Sequence, residues 1–267
     1  MYEDLRLKLG RSVAAGENEL DAIPRGRYRL GLESSDRGCD IWQAHEAGFL
    51  LPTGLPCMGR LRFFVDGRSA AVVESKSMKL FLVGLTSAIC PDESAYLALV
   101  QKSLEAMAVA PVRLEWLPLS PAESWPAPTY WGELLEDRGD VLGSLAANPA
   151  EAAGGLVLGP VELDGCWSTH LFRSLCPVTG QPDWASVRLS FAEARVDPAA
   201  LLPYLLAFRN HAGFHETCCE RMLVDLFRAF RPQALQVDCH FSRRGGIDIA
   251  ITRHWPRPLR PCQPFPR

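Results

Sequence analysis

From Trp167 to Arg253 the spacing of apolar residues switches from every second position to helical spacing and back again. That order constrains the fold more than any other feature of the chain. Trp167 to Arg173 reads as a strand, and Ala185 to Val196 as a second, with Val187, Leu189 and Phe191 alternating against Arg188 and Ser190. Glu193 falls on the apolar side of that alternation, so the pattern weakens toward the strand's end. Two helices follow. The first, Pro198 to Asn210, is entered from Asp197 as a cap, and Pro203 kinks it or delays its start. The second runs from about Phe214 to Phe230 and carries Met222, Leu223, Leu226 and Phe230 on one side. Strands Leu235 to Ser242 and Ile247 to Arg253 close the set, joined through the hairpin turn Arg243-Arg244-Gly245-Gly246.

The N-terminal half repeats this order in part. Strand-like runs at Arg60 to Asp66 and Ala70 to Glu74 precede a helix-like Met78 to Leu85, a helix from about Glu93 to Val109, and a strand at Val112 to Leu117. Each half therefore reads as a small antiparallel sheet with helices on one face, an α+β arrangement of two similar modules. A stretch rich in Pro, Ala, Gly and acidic residues separates them. The boundaries expected are a first module over 1–118, a connector over 119–159, a second module over 160–255 and a Pro-rich tail over 256–267. The tail is expected to be disordered, because its prolines cannot continue a central strand.

At 267 residues and 48% hydrophobic, the chain has enough apolar surface for one large core or two modest ones. A formal net charge of -3 leaves no electrostatic footprint for nucleic acid. The start, Met-Tyr-Glu-Asp-Leu-Arg-Leu-Lys, is too charged for a signal peptide, and no apolar run reaches the roughly 20 residues of a membrane span. Nine scattered cysteines without a Cys-x-x-Cys pair suit a reducing compartment. A cytoplasmic protein is the expectation.

Four segments carry candidate chemistry, and each has a plainer reading. Glu74-Ser75-Lys76-Ser77-Met78-Lys79-Leu80-Phe81 sets a carboxylate, hydroxyls and two ammonium groups at the mouth of a helix, or is simply a strand entering a capped helix. Cys176 and Asp183 stand seven residues apart across a turn, a potential nucleophile and a potential acid. His215-Glu216 opens a helix with Cys219 one turn on, a near miss to the H-E-x-x-H zinc pattern. The same imidazole and carboxylate also suit a heterocycle with a guanine-type edge, or a packed helix start. Arg243-Arg244-Gly245-Gly246 offers fork-shaped donors and close backbone approach to a phosphate, or is a solvated hairpin. No G-x-G-x-x-G follows a strand and no P-loop is present.

Taken together, these segments resemble the NADPH-dependent 7-cyano-7-deazaguanine reductases, the nitrile reductases of the queuosine pathway. The family pattern Glu-[Ser/Leu]-Lys-[Ser/Ala]-hydrophobic-Lys-[Leu/Tyr]-aromatic is met at every position from Glu74 to Phe81. The nucleophile segment matches at Cys176, Thr179, Gln181, Pro182 and Asp183. Phe214-His215-Glu216 and Phe241-Ser242-Arg243-Arg244-Gly245-Gly246-Ile247-Asp248 complete the likeness, which runs from about Asp40 to Asp248 and is that of the two-module branch. One departure stands out: the family commonly continues after Asp248 with an Asn-Pro-Trp-like stretch, where this chain has Ile249-Ala250-Ile251-Thr252.

The resemblance implies two tandem tunnelling-fold modules in a homodimer, with NADPH and a small-molecule substrate, 7-cyano-7-deazaguanine, as ligands. It implies no metal, no direct nucleic-acid binding and no membrane. In the reaction it implies, Cys176 adds to the nitrile carbon as a covalent thioimide and Asp183 supplies the proton to nitrogen. The first hydride gives a thiohemiaminal, which expels Cys176 to leave an imine, and the second gives the aminomethyl product. Because the thiolate is the nucleophile, positive charge or donors near Cys176 must favour its ionisation. The resemblance makes His215 a proton handler and puts Val73, Glu74, Ser75, His215 and Glu216 around the substrate. Ser75, Lys76, Arg244 and Gly245 would hold NADPH, with Lys79 and Arg243 as further phosphate contacts. Two rivals stand beside this reading. A zinc-dependent hydrolase on the same fold would use cysteine and histidine as ligands and hold stoichiometric metal. A non-catalytic pteridine- or purine-binding module would keep Glu74 and Glu216 and do no chemistry.

Overall fold

The structure, a computed structural model, describes residues 20–25, 38–118, 132–138 and 146–261, with Arg244 described by its backbone alone. It is α+β, as the order of elements implied. The described residues divide into two units, one taking 20–25, 40–118 and 243–249, the other 38–39, 132–138, 146–242 and 250–261.

In the first unit, β1 (Ala22–Pro24) pairs antiparallel with β4 (Ala71–Val73). A separate set is ordered β5 (Val112–Pro118), β3 (Pro56–Asp66), β2 (Gly38–Leu50). Strand β3 runs antiparallel to β5, from Gly59 opposite Pro118 to Val65 opposite Val112. Strand β2 was not expected from the sequence. Its apolar residues do not alternate cleanly, because Asp40 sits at a buried position, satisfied by an ion pair with Arg25. Helix α1 (Ser75–Leu85) begins three residues before the expected Met78, for Glu74 supplies its cap. Helix α2 (Glu93–Ala108) is capped by Asp92, whose Oδ1 accepts from Ala95 N at 2.8 Å. It buries Tyr96, Val100, Leu104 and Met107, spaced four, four and three residues along one face.

The second unit has β6 (Glu133–Leu134) running parallel to β7 (Leu158–Leu175), then β8 (Pro182–Val196), β9 (Ala234–Arg244) and β10 (Ile247–Trp255) in spatial order. Strands β7, β8 and β9 are antiparallel neighbours. Of the expected connector, 119–131 and 139–145 lie outside the described residues; the remainder holds β6, a 3-10 turn at Leu135–Arg138 and α3 (Pro149–Ala153). Strand β8 is buried on both faces. Val187, Leu189 and Phe191 line one, while Ser186, Arg188 and Ser190 on the other are buried with polar partners. Arg188 donates to Asp238 at 2.9 Å, and Gln236 and Thr252 donate to the same carboxylate at 3.0 and 2.8 Å. Removing Arg188 or Asp238 would strand the other's buried charge, a loss of about 3–5 kcal/mol. The misplaced Glu193 is explained by its backbone: φ is +46°, the pairing shifts register there, and its side chain turns to solvent.

The single helix expected over Pro198 to Asn210 is instead three short pieces. A 3-10 turn at Pro198–Ala200 leads into α4 (Leu201–Leu206), and a second 3-10 turn covers Ala207–Asn210. Pro203 falls in the first turn of α4, where a missing N–H costs least. Helix α5 (His215–Phe230) buries Met222, Leu223, Leu226 and Phe230, each contributing about 1.5–3 kcal/mol. Phe172 packs against Phe208 and Phe241, with ring centroids 5.3 and 6.1 Å away. The residues that depart from the family pattern, Ile249 to Thr252, are all buried in β10: four residues without a proline simply continue the strand. Of the tail, 262–267 lies outside the described residues. Its first part is not loose, since Leu259 and Arg260 donate their amides to Gln236 Oε1 at 2.8 and 2.9 Å.

Candidate active site

In the second unit the β7–β8 hairpin sets the geometry. Cys176 sits just past β7, with its N–H donated to Gln181 O at 2.8 Å and its carbonyl accepting from Gly180 N at 2.9 Å. Gly180 has φ of +66°, which a residue with a Cβ adopts only under strain. The register puts Ser174 opposite Asp183, so partly exposed Cys176 is the diagonal neighbour of Asp183. In a regular pair such positions share a face about 7–8 Å apart. Two further bonds tie the hairpin to the segment entering α5: Leu175 N donates to His211 O at 2.9 Å and Gly213 N to Leu175 O at 3.0 Å.

That segment delivers His215 and Glu216 to the same end of the unit. His215 Nε2 lies 3.3 Å from Asp183 Oδ1, and the carboxylate is buried. The imidazole stacks on Phe241, with ring centroids 3.9 Å apart, so its plane is set by an aromatic neighbour on β9. Glu216, in the first turn of α5, is also buried. A carboxylate there is favoured by the helix dipole. Cys218 behind them is fully buried, and burial pushes its thiol pKa up to about 12. It is a packing residue at neutral pH. Cys219 is buried in the core, its sulfur 3.5 Å from Val237 O and 3.8 Å from Ile251 O. Among the described residues no group of three or more His, Cys, Asp or Glu is placed to hold a metal ion.

The first unit carries a second cluster. Val73 ends β4 opposite Ala22, and the chain then turns at Glu74. Glu74 Oε2 accepts from Lys76 N at 2.9 Å and Ser77 N at 2.8 Å, and Ser75 Oγ lies 3.4 Å from Oε1. Ser77 Oγ donates to Glu74 O and accepts from Asp21 N, tying the helix start to the segment before β1. Near this unit's other candidates, Gly245 and Gly246 form the two-residue turn between β9 and β10, with φ of +58° and +84°. A Cβ on Gly245 would meet Lys79 Cδ at 2.8 Å, so a side chain there would push that lysine aside. Arg243 and Asp248 flank the turn and both reach His45 of β2. Of Arg244 the backbone alone is described. His45 and its neighbour Gln43 were not anticipated. They lie in the strand whose pattern was unreadable, and a lone histidine there carries no motif.

The structure thus gathers Cys176, Asp183, His215 and Glu216 in one unit, and Val73, Glu74, Ser75, Lys76, Lys79, Arg243 and Gly245 in the other. Comparison with known proteins gives the class. Residues 182–258 match the family model described as QueF-like protein. Residues 16–116 match the N-terminal part of the nitrile reductases, "Nitrile reductase, 7-cyano-7-deazaguanine-reductase N-term". Fold and clusters accordingly define an oxidoreductase of the nitrile-reductase class. Proteins named NADPH-dependent 7-cyano-7-deazaguanine reductase from Bordetella pertussis and Bordetella bronchiseptica are each 36% identical to the chain over 235 residues, 85% of it and 82% of theirs. The protein of that name from Bordetella avium is 36% identical over 230 residues, 85% of this chain and 83% of its own. The chain belongs to the family of NADPH-dependent 7-cyano-7-deazaguanine reductases.

Proposed function

We propose that the protein reduces the nitrile of 7-cyano-7-deazaguanine to an aminomethyl group with NADPH, and that Cys176 does so covalently. The observation that carries the site assignment is the hairpin register, which makes Cys176 the diagonal neighbour of a buried carboxylate that itself lies 3.3 Å from His215. A nitrile carbon is a poor acceptor until a nucleophile adds to it. The Cys176 thiolate adds to that carbon, forming the C–S bond while the C≡N π-electrons move to nitrogen. Asp183 delivers a proton to that nitrogen, giving a neutral thioimide, and His215 handles the protons that later steps take up. NADPH, when bound, supplies the two hydrides that this four-electron reduction needs. Between them the C–S bond breaks and Cys176 leaves as thiolate.

Each unit offers a carboxylate suited to the donor edge of the heterocycle: Glu216 in the second, and Glu74 in the first beside Val73 and Ser75. Glutamate is an unusual cap, since Ser, Asn or Asp fills that position better. The longer side chain commits Oε2 to two amides and leaves Oε1 with the weaker contact to Ser75, which suits an oxygen reserved for a ligand. For NADPH the fit is of donor chemistry: Lys76, Lys79 and Arg243 supply cations and the Gly245–Gly246 turn supplies close backbone approach, with Ser75 and Arg244 completing the set. The family likeness supports a homodimer and a cytoplasmic location. No described helix is long and apolar enough to cross a membrane.

The test is NADPH oxidation with 7-cyano-7-deazaguanine, comparing wild type with Cys176→Ala. Two NADPH consumed per substrate by wild type, with an adduct of the substrate's mass on Cys176 and neither activity nor adduct in the variant, is the expected outcome. A variant that retains turnover would remove the covalent step.

A further inference from the structure

A chain of polar side chains runs through the first unit to the Gly245–Gly246 turn, and of its members the proposed chemistry uses Arg243 alone. It starts at Glu115 of β5, whose Oε2 is 3.2 Å from Arg62 Nη1. Arg62 donates to Gln43 Oε1 through Nε at 3.3 Å and Nη2 at 2.8 Å. Gln43 Nε2 lies 3.3 Å from His45 Nε2, and that nitrogen is 2.6 Å from Asp248 Oδ2. Arg243 closes the chain: its Nη2 is 3.2 Å from His45 Nδ1 and 3.0 Å from Nε2, and its Nε is 3.7 Å from Asp248 Oδ1.

Donors and acceptors decide the tautomer. A carboxylate only accepts and a guanidinium only donates. At 2.6 Å from Asp248, His45 Nε2 carries the hydrogen, and Arg243 Nη2 lies against the imidazole, 3.2 Å from Nδ1, the ring's one acceptor, and 3.0 Å from Nε2. The contact to Gln43 Nε2 sets two donors together; it is the longest His45 makes, and it packs rather than bonds. The backbone joins in, His45 N donating to Gly246 O at 3.0 Å. His45 therefore pins three things at once: the turn, Asp248 and the orientation of Arg243. At 3.7 Å Asp248 is too far to hold the guanidinium by itself through Nε, and the arginine side chain stays 53% exposed, its remaining N–H groups free to face a ligand.

We propose that His45 is a positioning residue for the 2′-phosphate of NADPH, aiming Arg243 at that group and so setting the preference for NADPH over NADH. The inference rests on the cofactor assignment made above. The glycine turn and Lys76 suit a pyrophosphate, a diester with one charge per phosphorus. A terminal monoester carries about -1.5 to -2 and three open oxygens, and a guanidinium fixed in one orientation is its natural partner.

The readout is binding, measured by calorimetry with NADP+, NAD+ and adenosine 2′,5′-bisphosphate. His45→Leu should weaken NADP+ and the bisphosphate roughly tenfold, equivalent to about 1.4 kcal/mol. It should leave NAD+ within about twofold. His45→Gln keeps a donor for Asp248 and an acceptor for Arg243, and should restore most of the loss. Equal weakening of NADP+ and NAD+, or no weakening of either, would overturn the proposal. Lys76→Ala separates the two levels of argument. If it too changes neither affinity, the cofactor assignment itself falls. If it weakens both while His45→Leu leaves their ratio alone, the positioning role alone is wrong.

Discussion

Asp183 illustrates how a residue's chemistry depends on its surroundings. Its carboxylate is buried at the start of β8, 3.3 Å from an imidazole held by an aromatic ring, and one diagonal step from the thiol. If it delivers the proton in thioimide formation, Asp183→Asn should lower kcat by about 10²–10⁴-fold with the thiol intact, the usual range for a general acid. Single-turnover kinetics would show the loss in the covalent step, and an undiminished rate of adduct formation would assign the proton elsewhere. At this scale much was legible. Cys176, Asp183 and His215 were recognisable as candidates because a motif is read from side-chain identity. What Cys219 and His45 do was not, since one turns into the core and the other acts through neighbours distant in sequence.

Among the elements, α1 is capped by Glu74, the side chain also proposed to hold the ligand. Glu74→Ala should lose the cap, about 0.5–2 kcal/mol of stability, and also raise KM for the substrate. Glu216→Ala should raise KM through the loss of a charged contact of about 2–5 kcal/mol, and gives up no N-cap, only a favourable place at the positive end of the helix. Thermal denaturation beside steady-state kinetics separates the pair; a Glu74 variant with unchanged KM would make that residue a cap and nothing more. Helices α2 and α5 were readable to within a residue or two because their apolar faces keep helical spacing. Strand β2 was not, since it buries Asp40 against Arg25 and carries Gln43 and His45 in a polar chain. Nor did the sequence reveal that α4 would be so short, for the three pieces around Pro203 share one apolar stretch.

For the molecule as a whole, acid should be destabilising in part through His211. The half-buried imidazole has its pKa lowered first by burial and then by the Arg221 guanidinium, against a smaller opposing effect of Asp225. The unfolded chain takes up a proton near pH 6.5 that the folded protein resists, so this contribution is present above that pH and is lost as pH falls toward the lowered folded value. His211→Asn should flatten the decline in melting temperature below about pH 6.5. An unchanged decline would assign acid sensitivity to other groups. The proposed homodimer predicts a light-scattering mass of two chains, and a single-chain mass would remove it. The sequence alone determined the α+β class, the order of the C-terminal elements and the hairpin at Gly245–Gly246, and singled out the candidate reacting groups, because periodicity, turn chemistry and motif residues are local properties. The tertiary structure decided the buried partners: Asp40 with Arg25, Arg188 with Asp238, and His45 with Asp248 and Arg243. These are contacts between residues far apart along the chain. A polar side chain looks the same in a sequence whether water or another charge satisfies it, and only its neighbours in space tell the two apart.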